Sequence, residues 1–148
     1  MYKRQDFLSA GESEDSAIKF TCGFLSKVFL DNLKLDIFKS INLRCLDANQ
    51  ANKLDKLLWE QPKELFIPHK LSNDKDGQET DIEISYPGVK INKNFDLLIN
   101  LNPQLPSNYL DFSEAYQIVV KDNSDLQERA RLSYKKCLED GIKPNFID

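Results

Sequence analysis

The sequence predicts an α/β fold: a three-layer Rossmann-like domain with a mostly parallel central sheet flanked by helices. Strand-like and helix-like segments alternate along the whole chain, which is the pattern of β-α-β units. Leu97-Leu98-Ile99 and Ile118-Val119-Val120 are unbroken apolar runs of the kind that suit strands covered on both faces. The length of 148 residues suits one domain, residues 1–148, with one substantial core.

Each element has its own local reason. Phe7 and Leu8 close a short first strand, and Ser9-Ala10-Gly11 turns out of it. Residues 13–31 are expected to be helical: Ser13 caps, Glu14 and Asp15 suit the positive N-terminal end, and Ile18, Cys22, Leu25 and Phe29 recur at helical spacing. Ile41, Leu43 and Cys45 alternate with Asn42 and Arg44 as in a strand. Asp47 and Gln50 then form a capping-box pattern opening a helix with Ala51, Leu54, Leu57 and Leu58 on its apolar side. Trp59 falls at the end of that helix, before the aromatic, proline-stiffened loop Phe66-Ile67-Pro68-His69.

The polar stretch 71–80 has no periodicity and contains Gly77, so a mobile loop is expected. Ile82, Ile84 and Tyr86 alternate with Glu83 and Ser85 as in a half-exposed strand that ends at Pro87-Gly88. The last helix is the best marked, with Ser124 as cap, Gln127 as its reciprocal partner and Gly141 as the stop.

Composition narrows the function classes. Apolar residues make up 41% and charged residues 30%, ordinary for a globular chain. A net charge of −4 argues against strong direct nucleic-acid binding, which draws on many Lys and Arg contacts to phosphate, and favours protein partners. The three cysteines, Cys22, Cys45 and Cys137, lie far apart without a Cys-x-x-Cys pair, and no signal-like segment leads the chain. Reduced thiols serving as small core hydrophobes, in a cytoplasmic protein, are expected. No apolar run approaches the length of a membrane span, and one histidine without a close cysteine pair offers no zinc site.

A fold of this type commonly holds a nucleotide after its first strand. Ser9-Ala10-Gly11 carries neither G-x-G-x-x-G nor G-x-x-x-x-G-K-[ST], and Gly23 and Lys27 fall within the predicted first helix. Hydrolase chemistry lacks a G-x-S-x-G elbow, and His69 follows a proline without an evident Ser or Cys companion. No catalytic residue, cofactor or metal is therefore expected.

Two features remain. One is Trp59 beside the 66–69 loop. The other is the last helix, which carries Arg129, Arg131, Tyr134, Lys135 and Lys136 in an otherwise acidic chain. Arg131, Tyr134 and Lys135 stand at i, i+3 and i+4, so two cations flank one phenol on a single face, an arrangement able to receive an acidic, aromatic-ended peptide. The ordinary alternative is a solvated helix face, for which Glu128, Glu139 and Asp140 supply partners.

With Leu57-Leu58-Trp59, Phe66-Ile67-Pro68-His69-Lys70-Leu71, Asp96-Leu97-Leu98-Ile99-Asn100-Leu101 and Ala130-Arg131-x-x-Tyr134-Lys135 before Gly141, the chain resembles the chi subunits of bacterial DNA polymerase III holoenzyme over nearly its full length. The tryptophan and F-[IV]-P-H spacing is the specific part. The resemblance implies a noncatalytic adaptor that binds the acidic C-terminal tail of single-stranded DNA-binding protein and, elsewhere, the psi subunit of the clamp loader. A helicase is a further candidate partner. It assigns Arg131 and Lys135 to aspartates and the terminal carboxylate, and Tyr134 and Val120 to the terminal phenylalanine. Trp59, Phe66, Pro68 and His69 are assigned to the other partner.

Where some family members place a basic residue one turn before the arginine, this chain has Gln127, and the loop at 72–80 lacks the glycine-rich form common in the family. An unrecognised nucleotide-binding or hydrolytic domain, or a direct single-stranded nucleic-acid binder, stand as the alternative functions.

Overall fold

A computed structural model describes residues 4–36, 39–60, 67–73, 80–89, 94–120 and 124–147. In chain order the elements are β1 (Arg4–Ser9), α1 (Glu14–Leu35), β2 (Ile41–Arg44), α2 (Ala48–Glu60), β3 (Lys70–Leu71), β4 (Ile82–Ser85) and β5 (Leu97–Asn100). A short 3-10 turn at Tyr109–Asp111, β6 (Glu114–Val119), α3 (Ser124–Glu139) and β7 (Asn145–Ile147) follow. The strands form one seven-stranded sheet of order β3-β4-β2-β5-β6-β1-β7, and every pairing is parallel.

The order explains the layers. From β1 to β2 and from β2 to β3 the chain moves one way along the sheet, whereas from β6 to β7 it moves the other way. Right-handed crossovers then put the connecting helices on opposite faces. Accordingly α1 and α2 pack Ile18, Cys22, Leu25, Ala51, Leu54 and Leu58 against Leu43, Ile84 and Ile99. On the other face α3 packs Ala130 and Cys137 with Phe7, Leu98, Tyr109 and Val119.

Helix ends follow their predicted chemistry with two adjustments. Ser13 and Ser16 form a reciprocal capping box on α1, which runs to Leu35, four residues past the expected end. At α2 the Gln50 amide N–H donates to Asp47 Oδ1 at 2.9 Å, but Gln50 Oε1 accepts from the Leu46 N–H at 2.7 Å, one residue earlier than the usual box. α3 stops at Gly141, whose φ is +81°. The Gly141 N–H reaches the Leu138 carbonyl and the Ile142 N–H the Cys137 carbonyl, the paired bonds of a Schellman end. The Ser124 side chain lies outside the described residues, as does most of the expected mobile loop, 74–79.

The half-exposed reading of β4 is corrected: all four residues, Glu83 and Ser85 included, are buried. Asn42 of β2 is buried as well. In a parallel sheet covered on both faces, alternation of polar and apolar residues separates two buried faces rather than core from solvent. A buried polar chain then fixes α3: Asn100 Nδ2 donates to Gln117 Oε1 at 2.8 Å, Gln117 Nε2 to the Asn102 carbonyl at 2.7 Å, and Ser133 Oγ to the Pro103 carbonyl at 2.5 Å. The helix is thus hydrogen-bonded, through the turn after β5, to the middle of the sheet.

Candidate functional site

β1 and β6 are neighbours whose chains leave for opposite faces, the place where doubly wound folds usually bind ligands. On the β1 side of that place the start of α1 is capped by the protein itself. Ser16 N–H donates to Ser13 Oγ, Ser16 Oγ donates to the Ala10 carbonyl at 3.0 Å, and a Cβ on Gly11 (φ +89°) would lie 2.6 Å from Ser16 Oγ. An anion at the N-terminus of α1 would have to displace this cap. The β1–α1 turn is a closed strand-to-helix turn, not a phosphate cradle.

Beside it, on the α3 face, a cleft of about 350 Å³ opens between α3 and the β1–β7 edge, lined by Phe7, Val119, Gln127, Ala130, Arg131, Tyr134 and Phe146. Its floor is aromatic: the rings of Phe7 and Tyr134 meet edge to face with centroids 5.2 Å apart. Tyr134 hydroxyl reaches the Pro144 carbonyl at 3.4 Å, tying α3 to the segment entering β7. The Arg131 side chain is 72% exposed and lies 3.6 Å from Glu128, one turn earlier. Lys135 is exposed next to it along the helix.

The structure therefore gathers Gln127, Arg131 and Tyr134 at one cleft with Lys135 adjoining. It does not bring Val120 there. β6 alternates, so Ala115, Gln117 and Val119 face α3, while Tyr116 and Ile118 face α1 and α2 and Val120 packs with that second cluster. Val119 is the valine of the cleft. Phe7, Ala130 and Phe146 were not assigned to the cleft from sequence; the i−4 relation of Ala130 to Tyr134 carried a signal for one of these walls, and the period of β6 one for Val119, but nothing local announced β7.

At the far edge of the sheet, Trp59 is 52% exposed and rests on His69, ring centroids 4.1 Å apart. His69 is only 3% exposed, so it lies beneath the indole rather than on the surface assigned to it. Its Nδ1 sits 2.8 Å from the Ile67 carbonyl, and its Nε2 sits 3.2 Å from both the backbone carbonyl and a carboxylate oxygen of Asp55. Asp55 supplies the acid of a triad, but the second nitrogen faces a backbone carbonyl and not a hydroxyl or thiol. Pro68 is exposed and opens on a separate cavity of about 150 Å³ with Phe29, Leu33 and Ile82. Phe66 lies outside the described residues.

All three cysteines are free and buried, and burial pushes the Cys22 and Cys45 thiols up to about 12, so neither supplies a thiolate near neutral pH. Among the described residues no three His, Cys, Asp or Glu side chains converge as metal ligands, and no helix is long and apolar enough to cross a membrane.

Residues 3–145 match the family described as DNA polymerase III chi subunit, HolC. The DNA polymerase III subunit chi of Haemophilus influenzae is 34% identical over 108 residues, covering 71% of this chain and 74% of the relative. That of Escherichia coli is 32% identical over 107 residues, covering 72% of each. The Pseudomonas aeruginosa protein of the same name is 27% identical over 139 residues, covering 93% of this chain and 91% of its own. With a family match across nearly its whole length and two relatives above 30% identity, the chain belongs to the DNA polymerase III chi subunit family, whose role is in DNA replication.

Proposed function

We propose that this chain is a noncatalytic, cytoplasmic adaptor of the replicative polymerase, joining the C-terminal tail of single-stranded DNA-binding protein, held at the α3 cleft, to a psi subunit of the clamp loader, held at the Trp59 corner. The observation that carries the first half is the pairing of an apolar, aromatic-floored cleft with two exposed cations in a chain of net charge −4. An aromatic C-terminal residue would bury its ring against Tyr134 and Ala130, while Arg131 and Lys135 receive its carboxylate and the acidic residues before it. Arg131 has to give up Glu128, but an exposed pair of this kind contributes little, about 0–1 kcal/mol. A charge-assisted bond to a partly desolvated carboxylate is worth more, about 1.5–3 kcal/mol. A nucleotide-binding reading gains no support from the β1–α1 turn, whose cap uses the groups a phosphate would need.

Titration of the full chain with a peptide ending in acidic residues, proline and phenylalanine tests the first half: binding that weakens as salt rises is expected, and no binding at low salt would sink it. The second half rests on a half-exposed indole lying over a buried imidazole, since such aromatic anchors commonly dominate interfaces. A pull-down from the source cell should recover a clamp-loader component, and Trp59→Ala should lose it while keeping the peptide.

A further inference from the structure

The cleft has a wall that the motif residues do not supply. Phe146 belongs to β7, the outermost strand, and is 54% exposed although it lines the cleft opposite α3. Its register partner on β1 is Phe7, so both side chains project to the α3 face, Phe7 as floor and Phe146 as rim. An exposed aromatic in the middle of a three-residue edge strand would ordinarily be poorly fixed. This one is held from both sides: Asn145 Nδ2 donates to the buried Asp6 carboxylate at 3.1 Å, and Pro144 accepts from Tyr134. Asp6 is itself held by Arg4 at 2.9 Å. The strand is short, but the residues just before Phe146 are anchored to the sheet and to α3.

We propose that Phe146 is the specificity-determining wall of the cleft, closing over the ring of a C-terminal aromatic residue whose carboxylate and preceding acidic side chains are taken by Arg131 and Lys135. This rests on the peptide-binding reading above. It goes beyond it in assigning the choice of terminal side chain to β7 rather than to α3. The division of labour follows from chemistry: the cations read charge, which any acidic tail offers, whereas two aromatic surfaces facing across a cleft favour a flat ring over a branched aliphatic one.

The test is a set of titrations of the full chain, as wild type, Phe146→Ala and Phe146→Leu, with two peptides of identical acidic sequence ending in phenylalanine or leucine. Wild type should prefer the phenylalanine peptide. Phe146→Ala should weaken that peptide about 3- to 10-fold, the range expected for one aromatic pair, while moving the leucine peptide less. Phe146→Leu, which keeps apolar bulk on the strand, should also narrow the preference. Equal preference in wild type and both variants, or no preference in wild type, overturns the assignment while leaving the peptide-binding reading intact. Failure of wild type to bind either peptide overturns both.

Discussion

The two edges of the sheet each present one aromatic side chain that is about half exposed, and they support it by opposite means. At the β3 edge the Trp59 indole stands on a buried imidazole whose two nitrogens meet backbone carbonyls and a carboxylate. At the β7 edge Phe146 faces an apolar floor of Phe7 and Tyr134, and the polar groups around it, Arg131 and Lys135, are in water. The first corner is built of groups that are costly to leave unpaired. The second is ringed by groups that cost little to change. Side chains at the tryptophan corner are therefore coupled to the stability of the fold, and those at the α3 cleft are largely free of it, so the two proposed recognition sites should respond differently to substitution.

The sharpest way to break this contrast is to remove the imidazole. His69→Ala empties a buried site and removes the ring nitrogens that lie beside the Ile67 and Asp55 carbonyls, so unfolding free energy should fall by about 2–4 kcal/mol, with a changed Trp59 emission in the native state. Denaturant unfolding followed by tryptophan fluorescence reads both. A loss below about 0.5 kcal/mol would mean that the corner is an ordinary surface patch.

The matching change at the cleft is Arg131→Ala. Peptide affinity should drop about tenfold, from the loss of one charge-assisted hydrogen bond, and its salt dependence should flatten. The thermal midpoint should not move measurably, because the side chain is exposed and its pair with Glu128 is weak. A large fall in stability would erase the distinction between the two edges.

How much of this was legible in the sequence divides along physical lines. Local chemistry was readable: Ser13, the Asp47–Gln50 pair and Gly141 mark helix ends because capping involves groups a few residues apart. The parallel sheet was readable from the apolar runs in β5 and β6. Misreadings arose where burial depended on distant partners. Glu83, Ser85 and Asn42 have the polarity of solvent-facing residues and are buried because the chain covers a second face. Val119 and Val120 are interchangeable by composition, and only the register of β6 against its neighbours decides which one faces α3. Phe146 lies in a three-residue strand beyond Gly141, too short for periodicity to show, and reaches the cleft through its pairing with β1. Arg131, Tyr134 and Lys135 were legible together because one helix carries all three; the opposite wall was not.

An intermediate effect tests whether the cleft is as separable from the fold as its side chains suggest. Gly141 holds φ at +81° at the end of α3, and nothing within 4 Å would obstruct a Cβ there, so Gly141→Ala introduces backbone strain without a clash. A stability loss of about 1 kcal/mol is expected from the left-handed conformation alone. The Schellman end also sets the path of Ile142 to Pro144, and hence the bond from Tyr134 and the position of Phe146. Peptide affinity measured well below the melting range should fall with it, by about two- to threefold if the cost of re-forming the wall is a fraction of that 1 kcal/mol.

The smallest expected effect is the most discriminating for the contrast itself. Trp59→Ala removes a large side chain, yet about half of it is already in water and His69 beneath keeps its own hydrogen bonds. Stability should change by about 1 kcal/mol or less, well under the His69→Ala loss, because about half of the indole is already in water whereas the imidazole is buried. Binding of the acidic peptide should be unchanged, since Trp59 lies on α2 and the cleft on α3, packed on opposite faces of the sheet. If the tryptophan variant instead matched the histidine variant in stability, the indole would be the support and the imidazole the supported group. If it also weakened the peptide, the two edges would be energetically connected through the sheet, and the Asn100–Gln117–Asn102 chain, continued to α3 by the Ser133 bond to the Pro103 carbonyl, would be the first path to test by double-mutant cycles.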